Sequence, residues 1–331
     1  MTRQSNQDPG DGRSPTGEAT APTRMSKSSW WGSLRRTFRE FSADNVTDLA
    51  AGLTYYAILS LFPALLVLVS LLGLAGPDGT RTLTDNASAI LPQDVAGLVT
   101  TAVENLQGSQ GVAGLVGIIS LAVALWSASG YIAAFMRASN IIYDVPEGRP
   151  IWKKLPVRVG ITLVMLVLMT LTVLAVAVSG GLAEHIGELL GLGTTAVAVW
   201  EIAKWPVLLV IVIFMIALLY WASPNAKRGF RWVSAGSVLA VLIWMAASLA
   251  FAFYVATFAS YNKTYGSMAA VVIFLVWLWI SNIAILLGEE FNAELERGRA
   301  EQAGLSSGEE PYVEMRDRPE PKGGKRSGGP G

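Results

Sequence analysis

From Leu53 to Ala75 the chain runs for 23 residues without a charged side chain. At about 1.5 Å of rise per residue, such a run crosses a hydrocarbon core of roughly 30 Å as a helix. In lipid every backbone N–H and C=O must find its partner inside the segment, so a run of this kind folds as a helix. Its approach is polar (Asp44, Asn45, Thr47, Asp48) and then small and aromatic (Ala50, Ala51, Gly52, Tyr55, Tyr56). Pro63, inside the apolar part, lacks a backbone donor and clashes with the preceding turn, which predicts a kink near Leu59–Phe62.

Five further apolar runs follow, giving expected spans at about 53–75, 112–136, 159–181, 197–221, 232–258 and 268–287. The whole chain has 52% hydrophobic and 15% charged residues, with a mean hydropathy of +0.44, more apolar than soluble cores need. The fold class expected is therefore all-α, a polytopic membrane protein. Residues 44–295 form the transmembrane domain in this reading. The second run carries a small-residue ridge, Ser120, Ala124 and Ala128, suited to close helix packing.

Charge placement orients the bundle. The N-terminal segment, the second and fourth connections and the C-terminal segment together hold 22 of the 25 Lys and Arg residues. Only Arg81, Lys204 and Lys263 fall on the other side. The positive-inside rule puts both termini in the cytoplasm, with the bundle in a bacterial plasma membrane. Residues 1–29 are polar and without apolar periodicity, and the first apolar run is too long for a signal-peptide core, so a disordered cytoplasmic tail and no cleaved leader are expected. Residues 296–331, rich in Gly, Pro and charge, are expected to be a second disordered tail.

Residues 30–43 read as an amphipathic helix. Trp30, Leu34, Phe38 and Phe41 share one face, with Arg35, Arg36, Arg39 and Glu40 opposite. The pattern suits a helix lying among headgroups, with Arg35, Arg36 and Arg39 toward anionic lipid; an amphipathic helix docked on the bundle is the alternative. A second amphipathic helix is expected after Pro92, over Val95–Leu106 on the outer side.

There is no cysteine and one histidine, His185, beside Glu184 and Glu188 in an outer loop. These residues do not make a metal site, and no cofactor, metal or catalytic residue is expected. No Asp, Glu, Lys, Arg or His occupies the middle of a span, which argues against a proton relay or a charged ion filter. Carriage of a lipid or amphiphile remains open. Ser60, Ser127 and Asn282, with the hydroxyls of Tyr55 and Tyr56, either bond neighbouring helices or line a polar cavity. Glu289 and Glu290 resemble a carboxylate pair, near which Asp44 and Asp48 could lie; solvation of helix ends accounts for them equally.

Three stretches carry a family resemblance: LTYYAILSLFPALL (Leu53–Leu66), YWASPNAKRGFRW (Tyr220–Trp232) and YGSMAAVVIFLVWLWISNIAILLGEEFNAEL (Tyr265–Leu295). Together they resemble the YihY/BrkB family of bacterial inner-membrane proteins, once labelled ribonuclease BN. The resemblance implies a six-helix plasma-membrane protein, with links in some members to serum resistance or envelope lipid export. It carries over no catalytic residues. The matching positions include Tyr55, Tyr56, Ser60, Pro63, Pro224, Asn225, Gly266, Gly288, Glu290 and Asn292. With Ser127 and Asn282 they make up the candidate functional positions. One histidine and cations that hug the bilayer argue against the ribonuclease label and against a nucleic-acid partner. Two functions stand from the sequence: a transporter or exporter of a lipid or amphiphile, and a structural or assembly factor acting through envelope partners or its own oligomers.

Overall fold

A computed structural model of the chain describes residues 27–73, 113–178, 183, 187, 193–230, 232–257, 262–305 and 310–319. Seven helices account for most of them: α1 (Lys27–Ala43), α2 (Val46–Gly73), α3 (Ala113–Ile142), α4 (Ile151–Ala177), α5 (Thr194–Ala222), α6 (Ala235–Thr257) and α7 (Asn262–Gln302). Among the described residues four helical stretches are long and apolar enough to cross a membrane: Ile151–Val176, Thr194–Ala222, Ala235–Thr257 and Val271–Gln302. Val46–Leu61 is a shorter apolar helix. The expected helix over Val95–Leu106, the loop around His185 and the tail segments 1–26 and 320–331 lie outside the described residues.

The helices outrun the apolar runs that announce them. α4 starts at Ile151 rather than 159, so Lys153, Lys154 and Arg158 belong to its first turns instead of a loop. α5 starts at Thr194 rather than 197, and Lys204, counted with the outer side, is buried within the helix and paired with Glu201. α7 runs on from the expected end at 287 to Gln302. A helix stops where its backbone bonding stops, and a charged sequence with good helix formers, such as EEFNAELERGRAEQ, keeps that bonding past the edge of the hydrocarbon.

Burial is concentrated at one end of the bundle. Val46, Ala50 and Leu53 of α2, Phe135 and Met136 of α3, Leu219 and Tyr220 of α5, Val241 of α6 and Leu286 of α7 belong to a single buried cluster. This polar end also gathers α1, the connections 143–150 and 223–234, and residues 310–319. Farther along α6 the apolar side chains turn outward, with Leu249 71% and Phe253 75% exposed. Such surface belongs against lipid, which is as apolar as the side chains themselves.

At the polar end α6 and α7 cross backbone to backbone. A β-carbon added at Gly236 would collide with the Gly288 carbonyl, and one at Gly288 would meet the Gly236 carbonyl and, at 2.6 Å, the Ala240 β-carbon. Small residues permit this approach, as they do in membrane helix pairs generally. The start of α6 is tied down twice. Ser234 and Ser237 exchange side-chain and backbone hydrogen bonds at 3.0 and 3.1 Å, and the N–H of Gly236 donates to Asn292 Oδ1 on α7 at 2.8 Å. Two tryptophans fasten the pair further along: Trp244 donates to Ser281 Oγ at 3.1 Å and Trp277 to Ser248 Oγ at 3.3 Å.

Two segments differ from the sequence reading. α1 is docked on the bundle, the alternative open from the sequence: Trp30 of the expected face meets Phe291 of α7 with ring centroids 5.4 Å apart, Phe41 packs on the buried cluster, and a polar seam runs beside them. Ser33 and Thr37 are buried, Ser33 Oγ donates to the Glu294 carbonyl at 3.2 Å, and Arg36 bonds the Glu294 carboxylate at 2.6 Å. Trp31 and Phe38 point outward. The tail expected to be disordered from 296 is ordered over residues 296–305 and 310–319: α7 carries it to 302, and Tyr312 is buried while Met315 pairs with Ala226. Composition misses this because the segment is held by hydrogen bonds and ion pairs together with a few unperiodic apolar side chains, Leu305, Tyr312, Val313 and Met315, that pack on the buried cluster.

Replacing Gly288 with Val should force α6 and α7 apart at a cost of about 1–3 kcal/mol, the range for overpacking a tight interface. Thermal unfolding in detergent measures it. Gly160→Ala, where nothing lies within 4 Å of the added carbon, should leave stability unchanged or raise it by up to about 1 kcal/mol.

Candidate functional site

The C-terminus of α5 leaves carbonyls that the helix cannot bond itself. Three arginines supply the donors. Arg228 donates to the Tyr220 carbonyl, Arg316 to that of Trp221 at 2.5 Å, and Arg149 to those of Ala222 at 3.5 Å and Ser223 at 2.8 Å. Cations at this pole are also favoured by the helix dipole. Each guanidinium comes from a different segment, so the cap joins the 143–150 connection, the 223–234 connection and the 310–319 segment.

Asn225 completes the junction. Fully buried behind buried Pro224, it donates through Nδ2 to the carbonyls of Pro146 at 2.9 Å and Asp317 at 2.8 Å. Its Oδ1 accepts from the Asp317 N–H at 3.1 Å, and its own N–H donates to Asn140 Oδ1 at 2.7 Å. Gly148 lies where the Asp317–Pro319 backbone passes; any β-carbon there would strike it. Lys153 and Asp317 pair at 2.5 Å outside this junction.

Between α2, α3 and α7 the candidate polar positions bond one another. Ser60 Oγ donates to the Ser127 carbonyl at 3.3 Å and accepts from the Tyr131 N–H at 3.3 Å. Asn282 accepts from Tyr131 Oη at 2.9 Å and donates to Thr54 Oγ1 at 3.1 Å. Tyr131 and Thr54 thus belong to this network, although only their partners stand out in the sequence. Tyr55 does not join it and is 61% exposed; Tyr56 lies under the Arg137 guanidinium, 5.2 Å from its ring centroid. α2 continues through half-buried Pro63 without a break in its helical assignment. A pocket lies elsewhere, between the end of α5, the start of α6 and α7, lined by Tyr220, Trp221, Arg228, Ser234, Asn292 and Glu296 among others.

The carboxylates beyond Gly288 are the least expected part of the polar end. Glu289 and Glu290 are buried, not solvated at a helix end. Among the described residues neither oxygen of Glu289 makes a well-formed hydrogen bond; the Ser139 hydroxyl lies beside it and the Arg228 guanidinium faces it. Glu290 keeps one unpartnered oxygen and has Asp44, Glu294, Glu40 and Glu289 as its electrostatic neighbours. Arg297 offsets part of this charge, with bonds to Asp144 at 2.6 Å and Glu294 at 3.4 Å. At the rim, burial pushes the Asp44 carboxyl up to about 6, with Asp144 and Glu40 adding to the rise. Asp144 is raised as well, first by burial and then by Glu310, against the pull of Arg297. Among the described residues no three of these side chains are placed to share a metal ion, and Asp48 on α2 is exposed.

Residues 37–311 match the family model described as Virulence factor BrkB. The chain belongs to this family. The ribonuclease-like protein YfkH of Bacillus subtilis (strain 168) is 31% identical over 274 residues, covering 80% of this chain and 95% of its own. A UPF0761 membrane protein of Chromohalobacter salexigens is 31% identical over 274 residues, covering 81% of this chain but 64% of its own. The UPF0761 membrane protein of Haemophilus influenzae (strain 86-028NP) is 27% identical over 270 residues, covering 78% and 93%. No solved structure matches. The BrkB match stops just short of Tyr312, so most of the segment that Asn225 and the arginines hold lies beyond the family region.

Asn225→Ala removes the side-chain partners of Pro146 and Asp317 together and should lower stability by about 3 kcal/mol, the cost of leaving buried backbone groups unsatisfied. Truncation after Leu305 should abolish most of that difference, and chemical unfolding in detergent measures both. The rim acids give a pH dependence with a definite sign. Asp44 holds its proton more tightly folded than unfolded, so its contribution to stability is present below the ordinary carboxylate range and is lost as pH rises through about 6. Unfolding temperature should therefore fall between about pH 4 and pH 6 and level off above that, and Asp44→Asn should flatten that fall.

Proposed function

We propose that this BrkB-family membrane protein crosses a bacterial plasma membrane six times, with both termini in the cytoplasm, and moves or helps export a lipid or other amphiphile. The topology rests on the 22 of 25 Lys and Arg residues on the terminal side. The transport reading is carried by Glu289. A carboxyl group buried without a direct ion pair, beside the Ser139 hydroxyl and facing an Arg228 that is bonded elsewhere, is costly for stability. Buried ionisable groups at membrane depth or at its edge mark pathways for ions and polar head groups far more often than structure. α4 and α6 each present exposed apolar side chains that suit an amphiphile's chains. On α1, Arg35 with exposed Trp31 and Phe38 forms a second surface suited to anionic lipid.

We take the protein to be non-enzymatic. The ribonuclease-like name belongs to the Bacillus subtilis relative, and nucleic-acid cleavage needs a convergent metal set or a paired acid and base. A second reading, a scaffold or assembly factor that recruits envelope proteins or further copies of itself, is favoured by one observation. Ser60 and Asn282 are engaged in helix-to-helix hydrogen bonds rather than left open toward a cavity.

Liposomes holding the purified protein and a fluorescent lipid separate the two. Transport predicts scrambling above empty liposomes, cut at least about tenfold by Glu289→Gln and reduced by Glu290→Gln and Pro63→Ala, with wild-type insertion. Folded protein that moves no lipid or amphiphile leaves the scaffold.

A further inference from the structure

Most of the cations at the polar end are spoken for. Arg36 is met by Glu294, Arg39 by Glu40, Arg149 by Glu147, Arg228 by Glu296 and Arg297 by Asp144. Arg137 and Arg158 are not. Arg158 donates to the Ser129 hydroxyl at 2.7 Å and to the carbonyls of Ser129 and Trp126 at 3.0 and 3.1 Å. Its guanidinium also lies over the Trp126 ring, at 4.9 Å. Arg137 is exposed, and its guanidinium lies over the Tyr56 ring. Among the described residues no carboxylate reaches either one, and the strongest charge near Arg158 is Arg137 itself.

The two guanidiniums converge on one turn of α3. Side chains on a helix lean toward its N-terminus, which carries Arg137 back toward Gly130. Tyr56, the ring beneath it, stands 3.8 Å from where a β-carbon of Gly130 would be. Arg158 comes to the neighbouring residue, Ser129, from α4. Arg137 is the first charge after the apolar part of α3, and Arg158 the last before the apolar part of α4, so both stand at the same border of the hydrocarbon. Exposed Tyr55 and Trp126, the latter at 53%, flank them on the lipid side.

We propose that Arg137 and Arg158 hold the phosphate of an anionic phospholipid in the groove between α2, α3 and α4. Two like charges brought together without an acid lack a counter-ion, and a phosphate diester supplies one with oxygens that suit guanidinium donors. The aromatic rings at the rim suit the headgroup level, and the apolar flanks below receive the acyl chains. The lipid at this site is retained, so the assignment stands whether or not the protein transports.

Native mass spectrometry of the full chain in detergent, loaded with phosphatidylglycerol or phosphatidylcholine, tests it. Phosphatidylglycerol should be retained over phosphatidylcholine, by about fivefold for each arginine engaged. Arg137→Gln breaks no hydrogen bond and should lose about fivefold, and Arg137→Gln with Arg158→Gln about 25-fold. Lys227→Gln, whose charge Glu314 already meets at 3.0 Å, should change nothing. Equal retention of the two lipids by the wild type, or undiminished retention by Arg137→Gln, overturns the proposal. So does displacement by millimolar inorganic phosphate, which would make the ligand a free anion and not a lipid.

Discussion

The end of α5 is the point from which the polar end is built. A helix that stops inside a protein leaves carbonyls without donors, and four consecutive ones, Tyr220 to Ser223, are met by Arg228, Arg316 and Arg149. No one of these arginines lies on α5. The cap therefore cannot form until the connection after α3, the connection before α6 and the segment at 310–319 have all arrived. Asn225 then closes the space between them with hydrogen bonds in three directions. A local backbone requirement is satisfied only by tertiary structure, which makes this junction cooperative.

That junction divides the molecule between two solvents. On its side, side chains bury one another as in a soluble domain, and ion pairs such as Arg36–Glu294 and Arg297–Asp144 lie partly sheltered. Away from it, α4 and α6 show apolar side chains outward, and packing depends on close backbone approach and on single hydrogen bonds such as Trp277 to Ser248. The Gly236–Gly288 crossing sits where one regime gives way to the other. It brings α6 and α7 close enough for Asn292 to cap α6 across the gap.

Periodicity and hydropathy find the helices because lipid leaves the backbone no other choice; they miss the helix ends, since charge does not stop a helix. The basic turn after Trp221 is legible as the edge of a membrane, but counting cations says nothing about which carbonyl each one meets. Asn225 and Asn292 stand out by their place in family-like motifs, and both prove to be buried hydrogen-bonding nodes. Tyr131 lies outside those motifs and Thr54, inside the first of them, is not singled out there, because a hydroxyl on an apolar helix looks the same whether it meets a distant partner or its own backbone. Glu289 misleads most. A Glu-Glu pair just past an apolar run reads as a solvated helix end, and only the packing of α3 and the residues after α5 against α7 removes its water.

This last burial has a mechanical consequence. Glu289 follows directly on Gly288, whose closeness to Gly236 leaves no slack on the α6 side. Its other neighbours are Ser139 on α3 and Arg228 in the capped junction. Arg228 is fixed by its bonds to Tyr143, the Tyr220 carbonyl and Glu296. On the α3 side Ser139 sits among Phe135, Met136, Ala138, Ile142 and Tyr143, all in the buried cluster. Water or a polar head group can therefore reach this carboxyl only if one of these three packed contacts parts.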